Sequence, residues 1–330
     1  MILAAVDAGG TRTRASIVQD SLECRGTGLA GRGNPVSGGP EAAFGEIALA
    51  IGRAAAAAAV PLTEIDAVTL ASAGGNVFDG GFLDDAMTAI GIRAPLTRKG
   101  DLVALFCSGT HETAGYGLVA GTGATAVRIV DSTEEQTIDG LGWLLGDHGS
   151  GFWIGHQVAR VVASALDGRI STSMVAPALA VLGIEPDLAL KAGRPMANHE
   201  LVRAVYSRSP LALAALASVA FLDDGDEVSS GIVDEAARGL AQSVIDVHAD
   251  DVTGPLVVGG GVMTGQPRLR AGVVAALESA GLRLRVIEAT DGLVGASVLG
   301  LRDAGFTVDA AAFETLRSTI AKQLARTTTL

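Results

Sequence analysis

The sequence predicts an α/β protein built twice over, and three observations carry that reading. Apolar runs of strand length alternate with helix-length segments along the whole chain. Two hairpins with Gly/Thr tips sit roughly a domain apart, as an internal duplication would place them. The length, 330 residues, is too great for one ordinary core and suits two.

The elements follow in order. Ile2–Val6 reads as a buried strand, Asp7-Ala8-Gly9-Gly10-Thr11 as a turn, and Arg14–Gln19 as the returning strand, with Ala15 and Ile17 on one face and Ser16 and Val18 on the other. Gly26–Gly39 reads as a glycine-rich loop. Glu41–Ala59 reads as a helix ending in six consecutive alanines, the residue with the best helix propensity. Ala67–Leu70 is a strand running into Ser72-Ala73-Gly74-Gly75, Leu83–Ile90 a helix, and Ala94–Thr97 a weak strand. Asp101 opens a helix over Leu102–Ala114.

The second hairpin is Gly117–Ala120, the turn Gly121-Thr122-Gly123-Ala124, and Thr125–Val130. Gly140–Gly151 follows as a loop, then a helix over Phe152–Leu166 with Ser150 as N-cap. Further on, helices are predicted over Glu227–Ala249, Leu269–Ser279, Leu293–Leu301 and Ala310–Ala325, and strands over Pro255–Val258 and Leu284–Val286. The fold class is therefore α/β, with halves at 1–110 and 111–309 and a last amphipathic helix, 310–325, returning to the first half.

Composition excludes several functions. A net charge of −12 repels nucleic acid and anionic membrane surfaces. The apolar N-terminus meets Asp7 at once and has no basic stretch, so no signal peptide is expected. Val252–Pro267 is too short and glycine-rich to span a bilayer. Two cysteines, Cys24 and Cys107, stand in unrelated segments without CxxC spacing, which fits a reducing, cytoplasmic setting. The five histidines lack metal-ligand spacing, so no zinc site is assigned.

The chemistry sits in the glycine-rich tips. A Gly/Thr turn offers backbone N–H groups and hydroxyls with no bulk in the way, which is what a polyphosphate needs. One such turn is an ordinary hairpin; two matched turns, with a carboxylate in the first, say more. Asp7 can hold a hydrated Mg²⁺, which keeps several waters; it can equally bond its own turn. Val257-Val258-Gly259-Gly260-Gly261-Val262 lets a flat ring lie on backbone, although a tight strand–helix turn has the same composition.

These segments resemble a known superfamily. DAGGTRT at Asp7–Thr13, GTGAT at Gly121–Thr125 and VVGGGV at Val257–Val262 look like the two phosphate motifs and the adenosine motif of the sugar kinase/heat-shock chaperone/actin superfamily. LGWLLGDHGSGFWIG at Leu141–Gly155 resembles the N-acetylglucosamine kinases and their BadF/BadG/BcrA/BcrD-type ATPase relatives, and its GDxGSxxWI pattern is the most specific match. The resemblance implies an actin-like fold of two duplicated, ribonuclease H-like domains around an interdomain cleft. It also implies phosphoryl transfer from Mg·ATP to a sugar, with N-acetylglucosamine leading, and a homodimer. Glucosamine, N-acetylmuramic acid, N-acetylmannosamine, a BadF-type ATPase and a sugar-sensing regulator are the alternatives.

The same resemblance assigns roles. Asp101 is the general base. Asn34, Gly140, Leu141, Gly142 and Asp147 contact the sugar. Gly9, Gly10, Thr11, Thr13, Gly121, Thr122 and Gly123 hold the phosphates, Gly259, Gly260 and Gly261 the adenosine, and Asp7 the Mg²⁺ through water. As ordinary structure, Asn34 favours a turn before Pro35, Asp101 is a helix N-cap that the helix terminus keeps ionised, and Asp147 caps the helix at Phe152. Two departures stand out. The family pattern GWG with a later GDEGS carries Leu141 at the Trp position, with Trp143 two residues on, and His148 at the Glu. His148 is thus either a substrate contact or a polar loop residue. The His/Cys-rich zinc motif of the related ROK sugar kinases is absent.

Overall fold

Strands β1 (Ile2–Ala8), β2 (Thr13–Gln19), β3 (Cys24–Ala30), β4 (Ala67–Ser72) and β5 (Leu96–Gly100) form one sheet in the order β3-β2-β1-β4-β5. Strands β6 (Gly115–Ala120), β7 (Ala124–Val130), β8 (Thr133–Asp139), β11 (Leu256–Gly259) and β12 (Val286–Glu288) form a second, ordered β12-β11-β6-β7-β8. In both sheets three antiparallel strands are followed by two parallel ones. The duplication read from the two hairpins is therefore present strand for strand. The computed structural model describes residues 1–34, 39–72 and 81–327. Residues 35–38 of the Gly31–Gly39 loop, Ala73, and all of the Gly74–Gly81 loop but Gly81 lie outside them.

Parallel strands need crossovers, and helices supply them. In the first half these are α1 (Pro40–Ala58) and α2 (Phe82–Ala89). In the second half α4 (Gly151–Leu166), α5 (Val175–Leu182), α6 (Met196–Tyr206), a 3₁₀ helix (Pro210–Phe221) and α7 (Glu227–Val247) lead to β11, with a two-residue ribbon of β9 (Leu190–Lys191) and β10 (Arg194–Pro195) between α5 and α6. Helices α8 (Gly261–Gly265) and α9 (Pro267–Ser279) connect β11 to β12. Each half ends in a helix, α3 (Asp101–Gly109) after β5 and α10 (Gly292–Asp303) after β12. These two helices cross in close contact, since a Cβ on Gly295 would overlap the Ala104 carbonyl. They lie in a shared apolar core with Leu3, Val18, Val127 and Val257, which joins the two sheets.

Strand β1 lies between two partners and is buried on both faces, with Leu3, Ala4, Ala5 and Val6 all fully enclosed. That explains its continuous apolar sequence. The β1–β2 turn is shorter than the sequence predicts: Asp7 pairs with Arg14 and Ala8 with Thr13, so only Gly9–Arg12 lies outside the ladder.

The expected loop over Gly26–Gly39 is corrected by β3. Gly26 and Gly28 are strand residues over which α1 passes. A Cβ on Gly26 would lie 2.5 Å from the Ala54 carbonyl oxygen, and one on Gly28 would overlap that of Ala50. The alanine run gives the helix the matching flat face. Glycine here marks close approach of a helix, not a turn.

Two other boundaries moved. Helix α3 stops at Gly109 because Thr110 is extended (φ −150°, ψ 152°), so His111 is not helical. The polar strand β8 was unassigned. It follows a two-residue turn, Asp131-Ser132, with both residues at positive φ (49° and 58°), as tight hairpins demand. The last helix, α11 (Ala310–Thr327), lies along β3 of the first sheet: Cys24 N–H donates to Thr319 Oγ1 at 3.1 Å, and the hydroxyls of Thr27 and Thr327 meet at 2.7 Å. Among the described residues, no helix is long and apolar enough to cross a membrane.

Candidate active site

Asp7 stands at the end of β1, one residue before the first glycine turn. The Arg14 guanidinium, opposite it on β2, donates to Asp7 Oδ2 at 2.6 Å and to Asp291 Oδ2 at 2.5 Å. Asp291 is the N-cap of α10, with its other oxygen accepting the Leu293 N–H at 2.9 Å. One guanidinium thus fastens the first hairpin to the start of α10. Burial pushes the Asp7 carboxyl above its ordinary value against the pull of Arg14, and Asp291 and Asp101 add to the rise.

The first turn closes with Gly9 N–H donating to the Arg12 carbonyl at 3.1 Å. Gly10 has open space around it, and the Thr11 side chain is exposed. Thr13 differs. It is fully buried and donates its hydroxyl to the Gly31 carbonyl at 2.9 Å, so it supports the hairpin and does not face a ligand.

The second turn is built into its surroundings. Gly121 N–H donates to the Gly123 carbonyl at 2.9 Å; the Gly121 and Thr122 carbonyls accept from Gly151 (2.7 Å) and Phe152 (3.1 Å) at the start of α4. Thr122 keeps its side chain exposed. A Cβ on Gly121 would lie 3.9 Å from the Gly260 Cα, which places the Val257–Val262 stretch beside this turn. Gly260 adopts φ 89° and a Cβ there would lie 2.5 Å from the Ala120 carbonyl, so both demands require glycine. Gly261 opens to free space, whereas Gly259 is buried under Leu105.

The Gly140–Ser150 loop hangs on two aspartates at positive φ, Asp139 (65°) and Asp147 (61°). Asp139 accepts the N–H groups of Asp147 (2.5 Å) and His148 (3.0 Å). Asp147 is only 5% exposed and accepts the Ala124 N–H at 3.2 Å. Its carboxylate thus lies against the second glycine turn, with its pKa raised by burial. Capping of α4 falls to Ser150, which accepts from Trp153 N–H at 3.1 Å, and not to Asp147. His148 turns away from the loop surface: its ring stacks on Trp153 at 4.4 Å and sits against Gly239 of α7, with Nε2 buried and, among the described residues, without a partner. That makes His148 a packing residue. Gly140 (φ 73°) and Gly142 (φ 84°) bend the loop so that Leu141, Leu144 and Leu145 project outward, each at least 66% exposed.

Asp101 is the first residue of α3, and the N-cap is Gly100, not Asp101 as the sequence had it. Its own N–H and that of Leu102 favour the charged form. Burial outweighs this and raises the pKa. The helix terminus therefore holds the group without keeping it strongly acidic, a correction to the sequence argument. Glu134 of β8 is beside it and was missed, because nothing in a polar edge strand marks it. Asp291 and Asp139 were missed likewise; only the positions flanking motif glycines could have flagged them. Asn34 is half-buried at the end of the described loop after β3. Among the described residues there is no cluster of three or more side chains fit to cage a metal.

The BadF/BadG/BcrA/BcrD ATPase family matches residues 5–300 of the chain. The chain belongs to this family. The BadF-type chain is 24% identical over 184 residues to an N-acetylmuramic acid/N-acetylglucosamine kinase of Clostridium acetobutylicum. That match spans 56% of this chain and 58% of the relative, so it reaches little more than half of either. Solved structures agree on the fold. A Chromobacterium violaceum protein named as a candidate N-acetylglucosamine kinase superposes with a TM-score of 0.67 at 21% identity, over 90% of this chain and 98% of that one. One from Porphyromonas gingivalis, named likewise, gives 0.68 at 16% identity, over 93% and 100%. A ROK hexokinase from Thermus thermophilus gives 0.54 at 20% identity, over 92% and 100%. The two matched sheets are thus the halves of an actin-like fold in this member of the BadF-type family.

Proposed function

We propose that this protein is an ATP-dependent sugar kinase whose leading acceptor is the 6-hydroxyl of N-acetylglucosamine. The observation that carries the reading is the setting of the two glycine turns: Arg14 ties Asp7, at the first turn, to Asp291 at the start of α10, while a second turn of the same hairpin type stands in the duplicated half with Gly260 and the Asp147 carboxylate against it. The names of the bacterial relatives support an amino sugar as acceptor.

In this reading the halves 1–110 and 111–309 close over the substrates. Gly9, Gly10, Thr11, Gly121, Thr122 and Gly123 hold the phosphates, and Gly260 and Gly261 receive the adenosine. Thr13 and Gly259 act from behind as packing. Asp101 takes the proton of the sugar hydroxyl as its oxygen bonds to the γ-phosphorus and the bond to the ADP oxygen breaks. A raised pKa suits a base that must gain that proton near neutral pH.

The excess of negative charge near the first turn suits a hydrated Mg²⁺ carried in with the nucleotide, which keeps its waters and needs no cage of protein side chains. Asp7, Asp101 and Asp291 bring three negative charges against the single positive charge of Arg14, leaving two in excess. Asp7 would hold the ion through water, and the ion would neutralise charge on the phosphates. Gly140, Leu141, Gly142 and Asn34 are the proposed sugar contacts. Asp147 contributes by fixing their loop to the second turn. The exposed Leu141 sets which amino sugar fits; N-acetylmuramic acid, N-acetylmannosamine and glucosamine are the competing acceptors. In the cell the reading places a cytoplasmic homodimer.

The iron–sulfur role of the BadF-type dehydratase activators finds no support in the thiols. Cys24 and Cys107 are both buried, on β3 and within α3, so neither can reach a cluster shared between subunits. Replacing Asp101 with Asn tests the mechanism. Sugar binding should persist while turnover falls by about a hundredfold or more. Unchanged turnover would remove Asp101 from the role.

A further inference from the structure

The Asp7 carboxylate is held through one oxygen only. Its Oδ2 accepts from Arg14 Nη2 at 2.6 Å, and among the described residues no donor meets Oδ1. The same guanidinium gives Nη1 to Asp291 Oδ2 at 2.5 Å, so Asp7 shares it. Asp291 is in turn fixed as the N-cap of α10, with Oδ1 accepting the Leu293 N–H at 2.9 Å. Gly292, the first residue of α10, completes the arrangement. A Cβ there would lie 2.7 Å from Asp7 Oδ2 and 2.9 Å from its Cγ, closer than side chains pack. The missing side chain is thus the cradle in which the carboxylate lies.

We propose that Arg14, Asp291 and Gly292 are positioning residues for Asp7. They seat Oδ2 against the start of α10 and leave Oδ1 to accept from a water on the nucleotide's Mg²⁺. This rests on the reading of Asp7 as the anchor of that ion.

Three features argue for a functional mount over a plain structural tie. Gly292 has helical backbone, so its conformation does not call for glycine; the nearest atoms a side chain would meet there all belong to Asp7. Arg14 Nε is buried and, among the described residues, without a partner. A bridge built for stability alone has no reason to strand a buried donor. Finally, Asp291 divides the charge of Arg14. Against Arg14 alone Asp7 would be neutralised, whereas the two aspartates leave one negative charge in excess, which attracts a cation.

The test is calorimetric binding of ADP to the full chain, once with Mg²⁺ and once with EDTA in its place. The variants are Asp7→Asn, Asp291→Asn and Gly292→Ala, each with its melting temperature. The ratio of the two affinities reports what the ion adds. Asp291→Asn keeps an N-cap acceptor for Leu293 N–H and Gly292→Ala introduces a good helix former, so both should fold as the parent does. Each should cut the ratio by roughly tenfold, as loss of an outer partner of a metal-binding carboxylate does. Each should also leave ADP binding in EDTA unchanged and add nothing in the Asp7→Asn background. A parental ratio in both variants, or an equal loss in EDTA, would overturn the proposal. Asp7→Asn separates the two claims. A parental ratio there removes Asp7 as the anchor, and the mount with it. A lost ratio there, beside parental ratios in the other two, removes the mount alone. No ADP binding by the parent chain would sink the nucleotide reading itself.

Discussion

Arg14 reaches Asp7 at 2.6 Å and, with its other terminal nitrogen, Asp291 at 2.5 Å. Residues 277 positions apart are thereby held at one point, where the first hairpin meets the start of α10. Arg14→Ala would leave two like charges facing each other with side chains only 18% and 25% exposed. A loss of about 2 kcal/mol is expected, less than for a fully buried pair because some solvent remains. The urea midpoint measures it, and an unchanged midpoint would mean the bridge is idle.

Gly28→Ala would drive a methyl group into the Ala50 carbonyl beneath α1. Neither backbone can give way cheaply, so a loss of about 1–3 kcal/mol is expected. The same change at Gly10, where there is open space, should be close to neutral in thermal unfolding. Equal effects at the two sites would contradict the close packing of α1 on β3.

Burial pushes the Cys107 thiol up to about 11 and that of Cys24 to about 12. A raised folded-state value means that this contribution to stability is complete below the unfolded pKa, near 9. It is lost as pH rises from there through 11 and 12. The unfolding free energy should thus decline above pH 9, and less steeply when both cysteines are replaced by alanine, with the two declines measured relative to pH 8. In the folded protein at pH 8 neither thiol should react with a thiol reagent; rapid labelling of both would contradict their burial.

Asp101, the proposed base, carries a cost in stability. Its raised pKa means that ionising the group works against folding as pH climbs through its folded value. Asp101→Asn should raise the melting temperature at pH 7, by up to a few degrees, and the gain should vanish at about pH 2, well below the ordinary value of 3.8, where the carboxyl is protonated in both states. A lower melting temperature at pH 7 would show that the helix terminus stabilises the charged form by more than burial costs it.

Much of the fold was legible because its signals are local. Apolar runs such as Leu3–Val6 gave β1, and Ser150 before an apolar helix gave the start of α4. The hidden parts are those where meaning depends on a distant neighbour. Gly26 and Gly28 have the composition of a loop until α1 lies over them. Strand β8 is polar because it is an edge, and its Asp-Ser turn lacks the usual Asn-Gly signature. At the site, Asp7, Asp101 and the two turns stood in motifs and could be named. Asp139 and Asp291 could not, since each acts on backbone or charge supplied by another segment. Asp147 and His148 were legible as residues but not in orientation: one faces the second turn and the other packs on Trp153.

The most direct test of the central claim is ADP release from Mg·ATP with and without a panel of amino sugars. Sugar-dependent release, highest with N-acetylglucosamine and abolished by Asp101→Asn, is the predicted result. Release at the same rate without any sugar would contradict it and make the protein an ATPase of another kind.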